Sequence, residues 1–169
     1  MGEVGEDSTR PTSPRAQARE AAFQILFHWD INPEFGPEVI ERFLWENVPQ
    51  EGASAFASDL IRGVMEMRER LDEELEAVSE NWTVSRMAVA DRTILRLGAY
   101  ELLYTDTPGE VIIDQAVELA KRFGTAQSGA FVNGILDRLM HKVRHQTSGA
   151  PARGRDPKDK KTPPALRES

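Results

Sequence analysis

Cysteine is absent from the 169-residue chain, and histidine occurs only at His28, His141 and His145. The first absence removes disulfides, thiolate nucleophiles, iron-sulfur clusters and cysteine zinc sites together, and so little imidazole leaves scant material for metal ligation or proton shuttling. No apolar run approaches the roughly 18 residues that cross a bilayer. The first 14 residues are acidic and polar, whereas a secretory signal is basic and then apolar. The expected compartment is therefore the cytoplasm. A phosphate-cradling glycine loop, a zinc-protease helix motif and a nucleophile elbow are also missing, so the sequence points to no catalytic, cofactor or metal site. Acids such as Asp72, Glu73, Glu74 and Glu76 are plentiful, but their spacing places them on the charged face of an amphipathic helix rather than in an acid/base pair.

Net charge is −7, unevenly spread. Residues 1–14 carry −2, residues 15–143 carry 13 bases against 22 acids, and residues 144–169 carry seven bases against three acids. An acidic domain does not attract nucleic acid through its average field; such binding needs a local basic patch or a basic partner. Both ends are rich in Gly, Pro, Ser, Thr and charge without apolar periodicity, which predicts disorder over 1–14 and 145–169 and a folded unit over 15–144.

Inside that unit the apolar spacing is helical nearly throughout, and the expected fold is all-α with six or seven helices. Ser13-Pro14 predicts a capped start, followed by a stripe of Ala18, Ala21, Ala22, Ile25, Leu26 and Trp29 that ends at Asn32-Pro33. A short helix is expected over Pro37 to Asn47, ended by Val48-Pro49. Phe56, Leu60, Val64, Met67, Leu71, Leu75 and Val78 recur at steps of three and four, predicting one long helix or two with a kink near Arg70. The segment from Val84 to Tyr104 is apolar around most of its circumference, as in a helix at the middle of a bundle. Thr107-Pro108-Gly109-Glu110 has the spacing of a capping box, and Gly124 is placed to end that helix in the left-handed conformation. A last helix is expected from Ser128 to Lys142.

Several residues invite a local reading. Asp91 lies in an apolar stripe, where a carboxylate must pair, with Arg62, Arg92 or Arg96, or face a partner. Phe23 and Phe27 lie off the centre of the first stripe, near the wheel positions of Arg19 and Ala16: either they stack on single-stranded bases, with Arg15 and Arg19 on phosphates, or a neighbouring helix covers them, which spacing alone favours. Phe131 follows Ser128, Gly129 and Ala130, whose open amides could hold a phosphate but describe any helix start equally well. Lys121 and Arg122 suit a helix C-terminus with or without RNA.

Four segments carry a resemblance. Arg19 to Phe27 (REAAFQILF), Asp91 to Leu102 (DRTILRLGAYEL), Asp114 to Gly124 (DQAVELAKRFG) and Phe131 to Asp137 (FVNGILD) are similar, in order and spacing, to the bacterial transcription antitermination factor NusB family, over the whole of 15–143. The resemblance implies two small helical bundles packed together and no catalysis. It further implies binding of the boxA element of nascent ribosomal RNA together with NusE, a ribosomal small-subunit protein, within the RNA polymerase antitermination complex. A basic ribosomal partner would suit the acidic core.

Position by position, the resemblance places RNA at Arg15, Gln17, Arg19, Phe27, Gln127 and Phe131, and the partner protein near Asp91 and Arg96. Family members often carry an arginine run where this chain has Arg15-Ala16-Gln17-Ala18-Arg19, which implies weaker intrinsic RNA affinity. Phe27 replaces a frequent Tyr, and Gln127 an acid, the latter removing repulsion from phosphate. The basic residues Arg153, Arg155, Lys158, Lys160 and Lys161 either add salt-sensitive RNA affinity or merely solubilise. Two rivals remain: a homodimeric protein-interaction module without RNA, and the helical domain type found in ribosomal RNA 5-methylcytosine methyltransferases.

Overall fold

The computed structural model describes residues 13–149. Six α-helices follow one another: α1 (Pro14–Ile31), α2 (Pro37–Asn47), α3 (Glu51–Val78), α4 (Val89–Tyr104), α5 (Gly109–Phe123) and α6 (Ser128–Gly149). A single 3-10 turn, Val84–Arg86, precedes α4. Helices α1, α2 and α3 pack on one another, as do α4, α5 and α6, and the two groups join mainly through α4 against α3 and α1. The expectation of two small packed bundles holds.

Local chemistry explains most boundaries. Ser13 caps α1, its Oγ accepting the Ala16 amide at 3.1 Å, with Pro14 in the first turn. The long apolar repeat forms one uninterrupted α3, and Arg70 pairs with Glu74 one turn on at 3.1 Å instead of marking a kink. In α4 nine consecutive residues, Thr93 to Glu101, are buried; only a helix enclosed on nearly all sides reads this way. Leu26, Leu60, Ile61, Leu71, Leu75, Ile94, Leu95, Leu136 and Leu139 form the fully buried heart of both bundles.

Four expectations need correction. The Val84–Tyr104 segment is not one helix: Val84 and Met87, three apart and both buried, tighten into a 3-10 turn before α4 starts. No capping box forms at α5, because Pro108 is extended (φ −56°, ψ 136°) and is itself the cap, while Glu110 pairs with Arg144 of α6. Gly124 ends α5 in an extended conformation (φ −100°, ψ −162°). Its need is for space: a Cβ there would lie 2.4 Å from Ser128 Oγ, the atom that accepts the Thr125 amide and ties α5 to α6. Finally, α6 runs past Lys142 to Gly149, so 145–149 are helical, and Pro14 belongs to α1. The expected disorder of 1–12 and 150–169, and with it the basic tail, lies outside the described residues.

Candidate functional site

The start of α1 borders a cleft of about 1060 Å³, lined among others by Arg15, Phe56, Arg62, Tyr100, Val111 and Gln115. Arg15 is exposed, and its guanidinium sits 4.3 Å over the Phe56 ring, a cation–π contact that holds the charge at the cleft mouth. Asp59 and Asp106 on the same walls keep the cleft mixed in charge. Gln17, two residues on from Arg15 and so roughly on the opposite side of α1, is half-buried.

Arg19 departs from the surface role implied for it. It is 5% exposed and donates from Nε and Nη2 to the Glu101 carboxylate at 2.9 Å each, Glu101 being 2% exposed. The apolar stripe of α1 turns this residue inward against α4, and a guanidinium committed to a buried carboxylate is not presented to phosphate. It fixes the α1–α4 crossing and backs the Phe56 ring at 5.1 Å.

Farther along α1, the aromatic pair divides. Phe23 is 3% exposed, packed 4.8 Å from Phe123 of α5, so the covered reading applies to it. Phe27 is half-buried and 5.8 Å from Phe23, the outer ring of a row of three. That row ends where α5 turns into α6. Gln127 is exposed in this turn, and its carbonyl accepts the Phe131 amide at 3.1 Å, which places both at the start of α6. Phe131 is half-buried, and its ring meets that of Trp82 at 5.7 Å with the two planes 71° apart. The row Phe27–Phe23–Phe123 thus links α1 to the end of α5, just before the turn that holds Gln127 and leads to Phe131, and Arg15 lies about 18 Å back from Phe27 along α1 at 1.5 Å per residue. The Ser128 amide is already taken by the Thr125 carbonyl at 3.1 Å, and Gly129 and Ala130 line a cleft whose walls carry Asp114 and Glu118 as well as Lys121, so its charge is mixed.

The α4 residues also separate. Arg96 is 7% exposed; it grips Asp72 through two bonds of 2.8 and 3.0 Å and reaches Asp30 at 3.2 Å. Burial works against its charge, but Asp72 and Asp30 outweigh that and hold its pKa above the ordinary value. Arg92 takes the other Asp30 oxygen at 2.6 Å. Asp30, whose side chain is 8% exposed, therefore bridges α1 to two arginines of α4, a network that apolar periodicity did not announce. The expected internal pair for Asp91 does not form, because these arginines face Asp30 and Asp72. Asp91 sits in the first turn of α4, where the helix dipole favours an acid, yet its Oδ1 is buried and accepts no hydrogen bond.

With this geometry in view, comparison with known proteins is informative. A sequence model described as the NusB family matches residues 16–141. The transcription antitermination protein NusB of Anaeromyxobacter dehalogenans is 46% identical over 130 residues, covering 76% of this chain and 91% of that one. The solved structure of T. maritima NusB has a TM-score of 0.71 at 40% identity, over 78% of this chain and 94% of that one. A structure of the antitermination factors NusB and NusE in complex with dsRNA gives a TM-score of 0.70 at 26% identity, over 78% of this chain and 99% of its counterpart. Motif order, two-bundle architecture and these matches agree: the chain belongs to the NusB family.

Proposed function

We propose that the chain is a transcription antitermination factor. It binds boxA-type RNA of nascent ribosomal transcripts together with the ribosomal protein NusE, in the cytoplasm, and helps RNA polymerase read through terminators without catalysing a reaction. The observation that carries this reading is the likeness, over nearly the whole described chain, to a NusB solved together with NusE and RNA. Relatives matched over about nine-tenths of their own length bear the antitermination name, which favours this reading over a methyltransferase appendage.

Arg15 and, from another side of the helix, Gln17 meet the phosphate strand at the start of α1, Phe27 and Phe131 offer rings to bases, and Gln127 stands one turn before Phe131. Arg19 serves by holding Phe56 and hence Arg15 in place. Asp91 supports a partner-protein contact, since a buried carboxylate oxygen without a donor is satisfied when a basic side chain docks on α4. Arg96 contributes by bracing α4. The −9 charge of residues 15–143 suits a basic partner and opposes RNA, so the two ligands are expected to bind cooperatively.

The test is titration of a short boxA-like RNA, single-stranded or duplex, and a scrambled control, with and without NusE at fixed salt. Sequence-dependent binding strengthened by NusE is the expected result; no binding under any condition overturns the reading. Phe27→Ala is expected to weaken RNA binding by about 1–3 kcal/mol if one base stacks on the ring. Arg15→Ala should lower both the affinity and its salt dependence, the slope falling by about one unit for one phosphate contact. A folded variant with an unchanged slope removes Arg15 from the phosphate path. Light scattering that shows an indissociable dimer indifferent to RNA would favour the protein-interaction module.

A further inference from the structure

Trp82 stands 51% exposed between α3 and α4, and unlike a lone surface apolar residue it sits beside a second ring on a fixed loop. Its backbone is held on every side. The Ser79 hydroxyl donates to the Trp82 carbonyl at 2.8 Å, and the Trp82 amide donates back to the Ser79 carbonyl at 2.9 Å. Between them Asn81 takes a left-handed conformation (φ 66°), which asparagine tolerates better than most residues. On one flank Arg138 Nε donates to the Val78 carbonyl at 2.7 Å; on the other the Val84 amide donates to Glu76 at 3.0 Å. Buried Val84 and Met87 then anchor the segment in the core. The ring is therefore presented without the ordering cost that a mobile loop would add on binding.

Its only ring contact among the described residues is Phe131, at 71° between planes, and about half of Trp82 stays exposed beside that ring. Phe131, Gly134 and Arg138 follow one another along one face of α6 at steps of three and four. Gly134 leaves the strip bare, and the exposed Arg138 guanidinium reaches along it, 3.7 Å from where a Gly134 Cβ would stand. A ring pair, a bare floor and a cation in sequence match a stacked nucleotide followed by its phosphate.

We infer that Trp82 is a second base-stacking ring, extending the RNA surface from Phe131 across the α3–α4 loop; this rests on the RNA reading given above. The test measures binding of boxA-like single-stranded RNA to the full chain at several salt concentrations. Trp82→Ala is expected to bind about tenfold more weakly with an unchanged salt slope, because stacking releases no counterions. Trp82→Phe should restore most of the affinity. In a Trp29→Phe/Trp45→Phe chain, Trp82 is the sole indole, and its emission should be quenched by the RNA, a readout that does not depend on how Trp82→Ala folds. Equal affinity of a folded Trp82→Ala, or an unquenched Trp82, overturns the assignment while leaving the RNA reading in place. A loss confined to binding of NusE overturns it in favour of a protein contact, and a wild-type chain that binds no RNA overturns both.

Discussion

Arg19→Ala is expected to destabilise the fold by about 3–5 kcal/mol, because it leaves the Glu101 carboxylate buried with its countercharge removed. Both side chains lie beneath the surface, at 6% and 2% exposure, and their two 2.9 Å bonds leave little room for water to substitute. The urea midpoint should fall at nearly constant m, which separates a loss of stability from a change in the unfolded state. Replacing both members, as in Arg19→Met/Glu101→Leu, should recover most of the loss, since a buried pair rarely outperforms apolar side chains of similar volume. That double variant also isolates function. If Arg19 acts only by position, the folded double variant should retain most of its RNA affinity and the full salt slope. A slope reduced by about one unit would instead return Arg19 to the phosphate path.

Gly63→Ala is expected to cost about 1–3 kcal/mol, although alanine is the better helix former by about 1 kcal/mol. Gly63 lies on the inner face of α3, and a Cβ there would fall 2.1 Å from the Tyr100 ring of α4. Tyr100 is 3% exposed and packs on Tyr104 at 5.4 Å, so its ring can yield only toward the cleft it lines, giving up that packing. Gly98→Ala is the useful contrast: its Cβ would meet the end of Leu136 at 2.7 Å, a flexible side chain on α6. Thermal unfolding should rank Gly63→Ala well below Gly98→Ala, and Gly63→Ala/Tyr100→Leu should regain part of the difference. Equal melting temperatures for the two single variants would show that α3 and α4 can separate without penalty.

Helix content was legible because apolar side chains on a helix must recur every three to four residues to reach a core. For the same reason α2 was bounded correctly by Pro37 and by Val48-Pro49, residues that constrain the backbone where they stand. Ends that depend on a neighbour were read less well. Thr107 and Glu110 have capping-box spacing, yet Glu110 is drawn to Arg144 across the bundle. Gly124 carries the sequence signature of a left-handed stop but yields space to Ser128 instead.

The candidate site divides along the same line. Composition, patterning and motif order were enough for an all-helical, cysteine-free member of the NusB family, because each is a property of one residue or of residues close along the chain. Whether an arginine faces solvent or a carboxylate depends on pairs 82, 66 or 24 positions apart, as in Arg19–Glu101, Arg96–Asp30 and Arg96–Asp72. No local spacing encodes such pairs. The packing of α1 and α3 on α4 buried Arg19 and Arg96, left the Asp91 oxygen without a donor, and set Trp82 beside Phe131. Burial and electrostatic pairing belong to the assembled bundle, and they assign each of these side chains its role.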